Sequence, residues 1–158
     1  MNQLYINALR KIAESTKMTI SVFFLLTCTL YIKAQEPADS VFRGYLHNKE
    51  FDVYMRINFY EKDVIITWQD IYGPLPGFLS KEGSDFCWVV TDVTIDGNKS
   101  TLEMVNDYGS EDLTATLTCE NDSVYTLQQQ SGSNLKVINK NKWQKLPRTL
   151  TFLRSRKR

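Results

Sequence analysis

His47 is the only histidine in this 158-residue chain, and that restricts the chemistry available. A Ser or Cys nucleophile needs a base beside it. The one imidazole stands in "LHNKE", a polar stretch that reads as a surface turn. A Ser-His-Asp site is hard to build from it. Paired carboxylates could hydrolyse a glycoside, but the acids sit largely in turns: Asp96, Asp107, Glu111, Asp112 and Asp122. Turns favour Asp because its carboxylate bonds the local backbone. "NDYGSED" (Asn106 to Asp112) groups several oxygens that could hold calcium, yet its spacing matches no known calcium loop. There is no C-x-x-C pair, no zinc-type cluster and no glycine-rich phosphate loop. The expectation is a chain with no catalytic residue, no metal and no cofactor.

The residues that draw attention are apolar. "DIYGPLPGFLS" (Asp70 to Ser80) sets Tyr72, Leu75, Phe78 and Leu79 among two prolines and two glycines. Each Leu or Phe taken out of water contributes about 1.5–3 kcal/mol. Leaving all of them exposed would forfeit an amount comparable to the stability of a small domain. Pro74 and Pro76 remove two backbone donors and suit non-sheet backbone, so the segment is expected to fold as a loop over one end of the domain. It is either a structural plug, or a lid or contact surface for a ligand or partner. Tyr72, Leu75, Phe78 and Leu79, with nearby Trp68, are the candidate ligand-binding residues.

The surrounding chain alternates with period two. In "FDVYMRINFY" the apolar residues Phe51, Val53, Met55, Ile57 and Phe59 fall at every second position, the pattern of a strand with one buried face. "VIITWQ" follows a short polar turn and is expected to pair with it as a hairpin. "FCWVVTDVTI", "STLEMVN", "LTATLTC", "VYTLQQQ", "LKVIN" and "RTLTFLRS" continue the series, and "VFRGYLH" precedes it. The Asp-Gly of "DGNK" marks a tight hairpin between two of these strands. No helical period stands out after residue 35. The fold expected is all-β, an antiparallel up-and-down meander of eight to nine strands closed into a small barrel, with a two-sheet β-sandwich as the alternative. Closure removes the edges that invite aggregation.

The N-terminus reads as an export signal. Arg10, Lys11 and Lys17 flank an uncharged run from Met18 to Ile32, and Ala34 offers a cleavage edge. At 15 residues the run is short of the roughly 20 that span a bilayer. Residues 1–34 are therefore expected to be a signal peptide and 35–158 a single barrel domain, with no transmembrane span after processing. "LLTC" resembles a lipoprotein box, which makes lipid anchoring at Cys28 the alternative. From Asp39 to Asp122 there are 16 acids and 6 bases, a net charge of −10. From Ser123 to Arg158 there are 9 bases and no acid, a basic C-terminal tail. An exported chain of this balance is not expected to bind nucleic acid. One intervening strand would hold Cys87 and Cys119 about 10 Å apart, beyond the roughly 7 Å that a disulfide spans.

A leader followed by a meander of this length resembles the lipocalin-like, or calycin, barrels of bacterial envelopes. The resemblance covers about Val41 to Arg154 and is architectural. Such barrels carry Gly-x-Trp on the first strand, with a basic residue of the last strand over that Trp. Here "RGYL" supplies Gly44 but has no Trp, and Trp143 with Arg148 stands near the closing strand. The resemblance implies binding of a small apolar molecule or inhibition of an envelope hydrolase.

The expected function is thus a non-catalytic, exported binding module, periplasmic or secreted. It would hold a small apolar ligand in or at the mouth of the barrel. The alternative is a protein-interaction module whose partner is an envelope protein. An enzyme built on turn carboxylates is a third and less favoured reading.

Overall fold

The computed structural model describes residues 41–155. The expected leader, the Cys28 alternative and the start of the expected domain at residue 35 lie outside these residues.

Ten strands follow one another: β1 (Arg43–Asn48), β2 (Val53–Asn58), β3 (Gly77–Lys81), β4 (Cys87–Asp96), β5 (Lys99–Asn106), β6 (Asp112–Asn121), β7 (Val124–Gly132), β8 (Lys136–Asn139), β9 (Lys142–Lys145) and β10 (Thr149–Ser155). Eight of them close an antiparallel barrel in the order β1-β10-β7-β6-β5-β4-β3-β2. The order follows the chain except that β8 and β9 form a separate two-stranded hairpin between β7 and β10. The fold is the all-β closed meander that the alternation predicts, and not the sandwich.

Alternation decides which side chains enter. Val53, Met55 and Ile57 of β2, Leu102 and Met104 of β5, and Leu113, Ala115 and Leu117 of β6 are all buried, while the residues between them face outward or are partly covered. The β4–β5 turn joins Asp96 to Lys99 through Gly97 and Asn98. Gly97 has φ +58, which the first central position of a II′ turn requires and glycine adopts without cost.

Both ends of the barrel are closed by side chains. At one end Phe42 stacks on Phe59 at 5.6 Å and meets Tyr125 edge-on at 6.4 Å. The Tyr125 hydroxyl donates to the Val41 carbonyl at 2.6 Å. The Arg154 guanidinium of β10 lies 5.2 Å from the centre of the Tyr125 ring and donates to the same carbonyl. Near the other end, Trp88 is fully buried and its indole N–H donates to the Lys136 carbonyl at 2.8 Å. Leu135, Val137 and Leu146 of the β8–β9 hairpin join the same core. Between the two ends the core is filled by bulky groups, among them Leu46, Met55, Trp88, Leu102 and Phe152.

Three expectations are corrected. "VIITWQ" forms no strand; it makes one isolated bridge, Val64 with Leu75. The partner of β2 is β3, the last part of the Pro/Gly-rich segment. That segment is consequently not a loop over the barrel end: Gly77–Lys81 is wall, and the stretch before it lies along the outside. Finally, "LKVIN" belongs to the β8–β9 hairpin instead of the barrel.

Among the described residues, the basic residues after Ser123 are carried largely on ordered elements. Lys136, Lys142 and Lys145 are on β8 and β9, Lys140 is in their turn, and Arg154 is on β10. Trp143 and Arg148 do not form the ring–cation pair that the barrel resemblance suggests. Trp143 instead meets Phe86 at 4.9 Å and has the Lys136 ammonium 4.7 Å from its ring centre.

Candidate functional site on the outer wall

On β2 and β3 the residues that do not enter the core point outward. Tyr54, Arg56 and Phe78 alternate with Met55, Ile57 and Leu79. Ordinarily an outward Phe would be exposed. Here Phe78 is 1% exposed, because the chain from Tyr60 to Pro76 doubles back over the wall as a flap. Val64 and Leu75 hold the flap together with two mutual backbone hydrogen bonds of 3.0 Å. Val64, Ile66, Trp68, Tyr72 and Leu75 then pack on Phe78, Cys87 and Val89 to make a second apolar cluster outside the barrel.

The flap is fixed by polar contacts as well. The Trp68 indole N–H donates to the Asp85 carbonyl at 2.8 Å. Gln69 Nε2 donates to Asp107 Oδ2 at 3.0 Å, and the Tyr72 hydroxyl donates to the Asp107 carbonyl oxygen at 3.3 Å. Asp107 Oδ1 is buried without a hydrogen-bond partner. Burial raises the Asp107 carboxyl above the usual carboxylate range, against the opposing effect of the Gln69 bond. Burial also pushes the Cys87 thiol up to about 12, with the Asp107 charge adding to it. A thiol held protonated in this way is a packing group and not a nucleophile.

Where the flap stops, a groove of about 590 Å³ runs along the outer wall. Tyr45, Tyr54 and Arg56 border it on the barrel side, and Asp63, Thr67 and Trp68 on the flap side. Tyr45 and Tyr54 stack at 5.2 Å, and Trp68 stands edge-on to Phe78 at 5.3 Å. The Tyr45 hydroxyl donates to Glu82 Oε1 at 2.5 Å. Burial first, and then this bond to a carboxylate, raises the tyrosine's pKa well above the phenol range. A second, smaller hollow of about 360 Å³ continues past Tyr45 and Glu82 toward His47 and the exposed Leu153.

The five residues singled out in the sequence divide. Trp68, Tyr72, Leu75 and Phe78 come together in the outer cluster, and Trp68 and Phe78 also line the groove. Leu79 faces the opposite way, into the barrel core. Tyr45, Tyr54 and Arg56 carry no distinguishing signal in the sequence, because alternation marks them simply as the outward face of a strand. His47 is not in a turn. It sits on β1, stacks on Tyr45 at 6.3 Å and lies 3.5 Å from Asp52. Within "NDYGSED", Asn106 Oδ1 accepts the backbone N–H groups of Ser110 and Glu111, and its amide reaches Ser110 and Glu111, whereas Asp107 Oδ2 and Glu111 Oε1 are held from outside the turn by Gln69 and Lys136. Cys87 and Cys119 are free thiols.

Comparison with protein-family models, with curated proteins and with solved structures yields no match. The arrangement must therefore be interpreted from its own chemistry. Aromatic rings, one guanidinium without an ion pair among the described residues (Arg56) and two carboxylates (Asp63, Glu82) share one open groove.

Proposed function

We propose that this chain is a non-catalytic binding module, exported to the periplasm or beyond, that holds a ligand with an apolar face in the groove between the flap and the outer wall. The observation that carries this reading is the groove itself: rings of Tyr45, Tyr54 and Trp68 border about 590 Å³ of open space, within the range of small-molecule sites. By contrast, the barrel axis is occupied by Trp88, Tyr125, Phe152 and other fully buried side chains. A ligand with an apolar face and a polar edge finds a better place on the wall than inside. The closed eight-stranded meander supports a lipocalin-like relationship, as does the basic residue of the last strand, Arg154, over a ring. The likeness is one of architecture, and architecture alone assigns no ligand.

Native mass spectrometry of protein purified from its own cell envelope tests this. A retained small-molecule adduct that disappears in Tyr54→Ala and Trp68→Ala supports the groove. An adduct kept by both variants contradicts it.

A second reading rests on a different observation. Trp143 is 50% exposed and Tyr108 65% exposed, their rings 6.4 Å apart at the barrel rim, with Lys140, Lys142 and Lys145 exposed on the hairpin beside them. Exposed aromatic groups flanked by cations suit a protein partner with an acidic rim. Co-purification of an envelope protein that is lost in Trp143→Ala would favour this alternative.

A further inference from the structure

We propose that the groove ligand is a neutral oligosaccharide, a proposal that rests on the groove being the binding site. The argument starts with what each lining group has left to offer. The Trp68 N–H is already committed to the Asp85 carbonyl and the Tyr45 hydroxyl to Glu82. Toward a ligand these two side chains present ring surface and little else. Tyr54 adds a third ring, stacked on Tyr45. Rings of this kind cover the C–H face of a pyranose without a polar penalty.

The rest of the lining is polar and planar. Arg56 is exposed, projects from the wall between Tyr45 on β1 and Phe78 on β3, and makes no ion pair among the described residues. Its guanidinium carries five N–H donors in a fixed fork. Asp63 accepts one hydrogen bond from the Asn58 amide at 2.7 Å. A carboxylate has about four acceptor positions, so Asp63 can take more. Forked donors and acceptors of this sort pair with vicinal hydroxyl groups.

Competing ligand classes fit less well. An alkyl chain laid in the groove would strip water from Arg56 and Asp63 and return no hydrogen bond, a penalty that ionised groups do not tolerate. A strongly charged ligand meets a lining of two guanidiniums, Arg43 and Arg56, and two carboxylates, Asp63 and Glu82, with no net charge to attract it. A neutral sugar chain has the apolar faces and the hydroxyl edges that both halves of the groove require. An opening along the wall also suits a chain longer than the pocket.

The test is calorimetric titration of the purified protein with a panel of neutral hexasaccharides: cellohexaose, xylohexaose, mannohexaose, maltohexaose and laminarihexaose. N-phenyl-1-naphthylamine serves as a purely apolar probe. The expected result is binding of at least one hexasaccharide, weakened tenfold or more in both Arg56→Ala and Trp68→Ala. Arg56 is exposed, so its variant keeps the fold and separates lost recognition from lost structure. If no hexasaccharide binds, but the naphthylamine does and is released by Trp68→Ala, the saccharide assignment is overturned and the groove stands. If a hexasaccharide binds equally well to the parent and both variants, the groove itself is the wrong site. Failure of sugar and probe alike overturns both proposals.

Discussion

Phe78 and Leu79 are consecutive on β3 and belong to different cores. Leu79 packs inside the barrel and Phe78 outside it, beneath the flap, and each is 1% exposed or less. The wall of this barrel is thus covered on both faces along β3 and the start of β4. Removing the two side chains should have separable consequences. Each truncation should cost several kcal/mol, about 3–5 for Phe78→Ala and about 2–5 for Leu79→Ala. In Phe78→Ala, amide exchange should quicken at Val64 and Leu75 of the flap under native conditions, while β6 and β7 stay protected. Hydrogen exchange resolved by residue is the measurement. Equal loss of protection across the barrel would mean that flap and barrel are one cooperative unit.

The thiols provide a second check. Cys87 lies under the flap, fully buried, with its pKa pushed up to about 12, whereas Cys119 is only partly covered. A thiol-specific reagent at neutral pH should label Cys119 first and leave Cys87 untouched in the folded protein. In Phe78→Ala, Cys87 should become reactive. Peptide mass mapping after timed labelling distinguishes the two positions, and early labelling of Cys87 in the parent protein would contradict the flap packing.

Asp107 should give stability a particular pH dependence. Its folded pKa is raised above the unfolded value, mainly by burial. At low pH the group is protonated in both states and has no effect. As pH rises past the ordinary value near 3.9, the unfolded chain releases its proton first, and stability is lost until the folded pKa is passed. Above that the penalty is complete. Asp107→Asn should therefore gain on the parent protein as pH rises from about 4 to about 7. Urea unfolding of both proteins across that range measures the difference, and a constant difference would remove Asp107 as the cause.

Gly77 marks the point where the flap re-enters the wall. A Cβ there would stand 2.5 Å from the Arg56 carbonyl oxygen, whereas a Cβ on Gly73 meets nothing within 4 Å. Gly77→Ala must shift backbone and should lose about 1–3 kcal/mol. Gly73→Ala should be neutral or gain up to about 1 kcal/mol by stiffening the unfolded chain. Chemical denaturation of the two variants suffices, and the reverse ranking would place the strand start elsewhere.

These contrasts also show how far the sequence could be read. Period-two alternation locates β2, β5 and β6 because one face of each is buried and the other is not. It fails at β3, where Phe78, Leu79 and Ser80 are all buried and no alternation survives. Prolines and glycines there suggest a loop, and only β2's need for a neighbour makes it a strand. "VIITWQ" fails in the opposite sense. Its alternation is real, since Val64, Ile66 and Trp68 share one face, but that face covers the barrel wall without joining it. The β8–β9 turn gives little signal in the sequence, because Lys140 and Asn141 adopt φ +50 and +63, the work of a I′ turn, without a glycine to announce it. The site was half legible. Trp68 and Phe78 stand out as apolar residues in an irregular stretch, whereas Tyr45, Tyr54 and Arg56 acquire meaning only when the flap stops beside them.

The central claim is that binding happens on the wall and not within the barrel, and the chain's three tryptophans can report it directly. Trp88 is in the core, Trp68 borders the groove and Trp143 sits on the rim hairpin. Fluorine NMR of 5-fluorotryptophan-labelled protein gives one signal for each, and the titrant is a bound hexasaccharide or N-phenyl-1-naphthylamine. The account predicts that the Trp68 signal shifts with ligand while the Trp88 signal stays in place. A shift of Trp88 before Trp68, or of Trp143 alone, would contradict it.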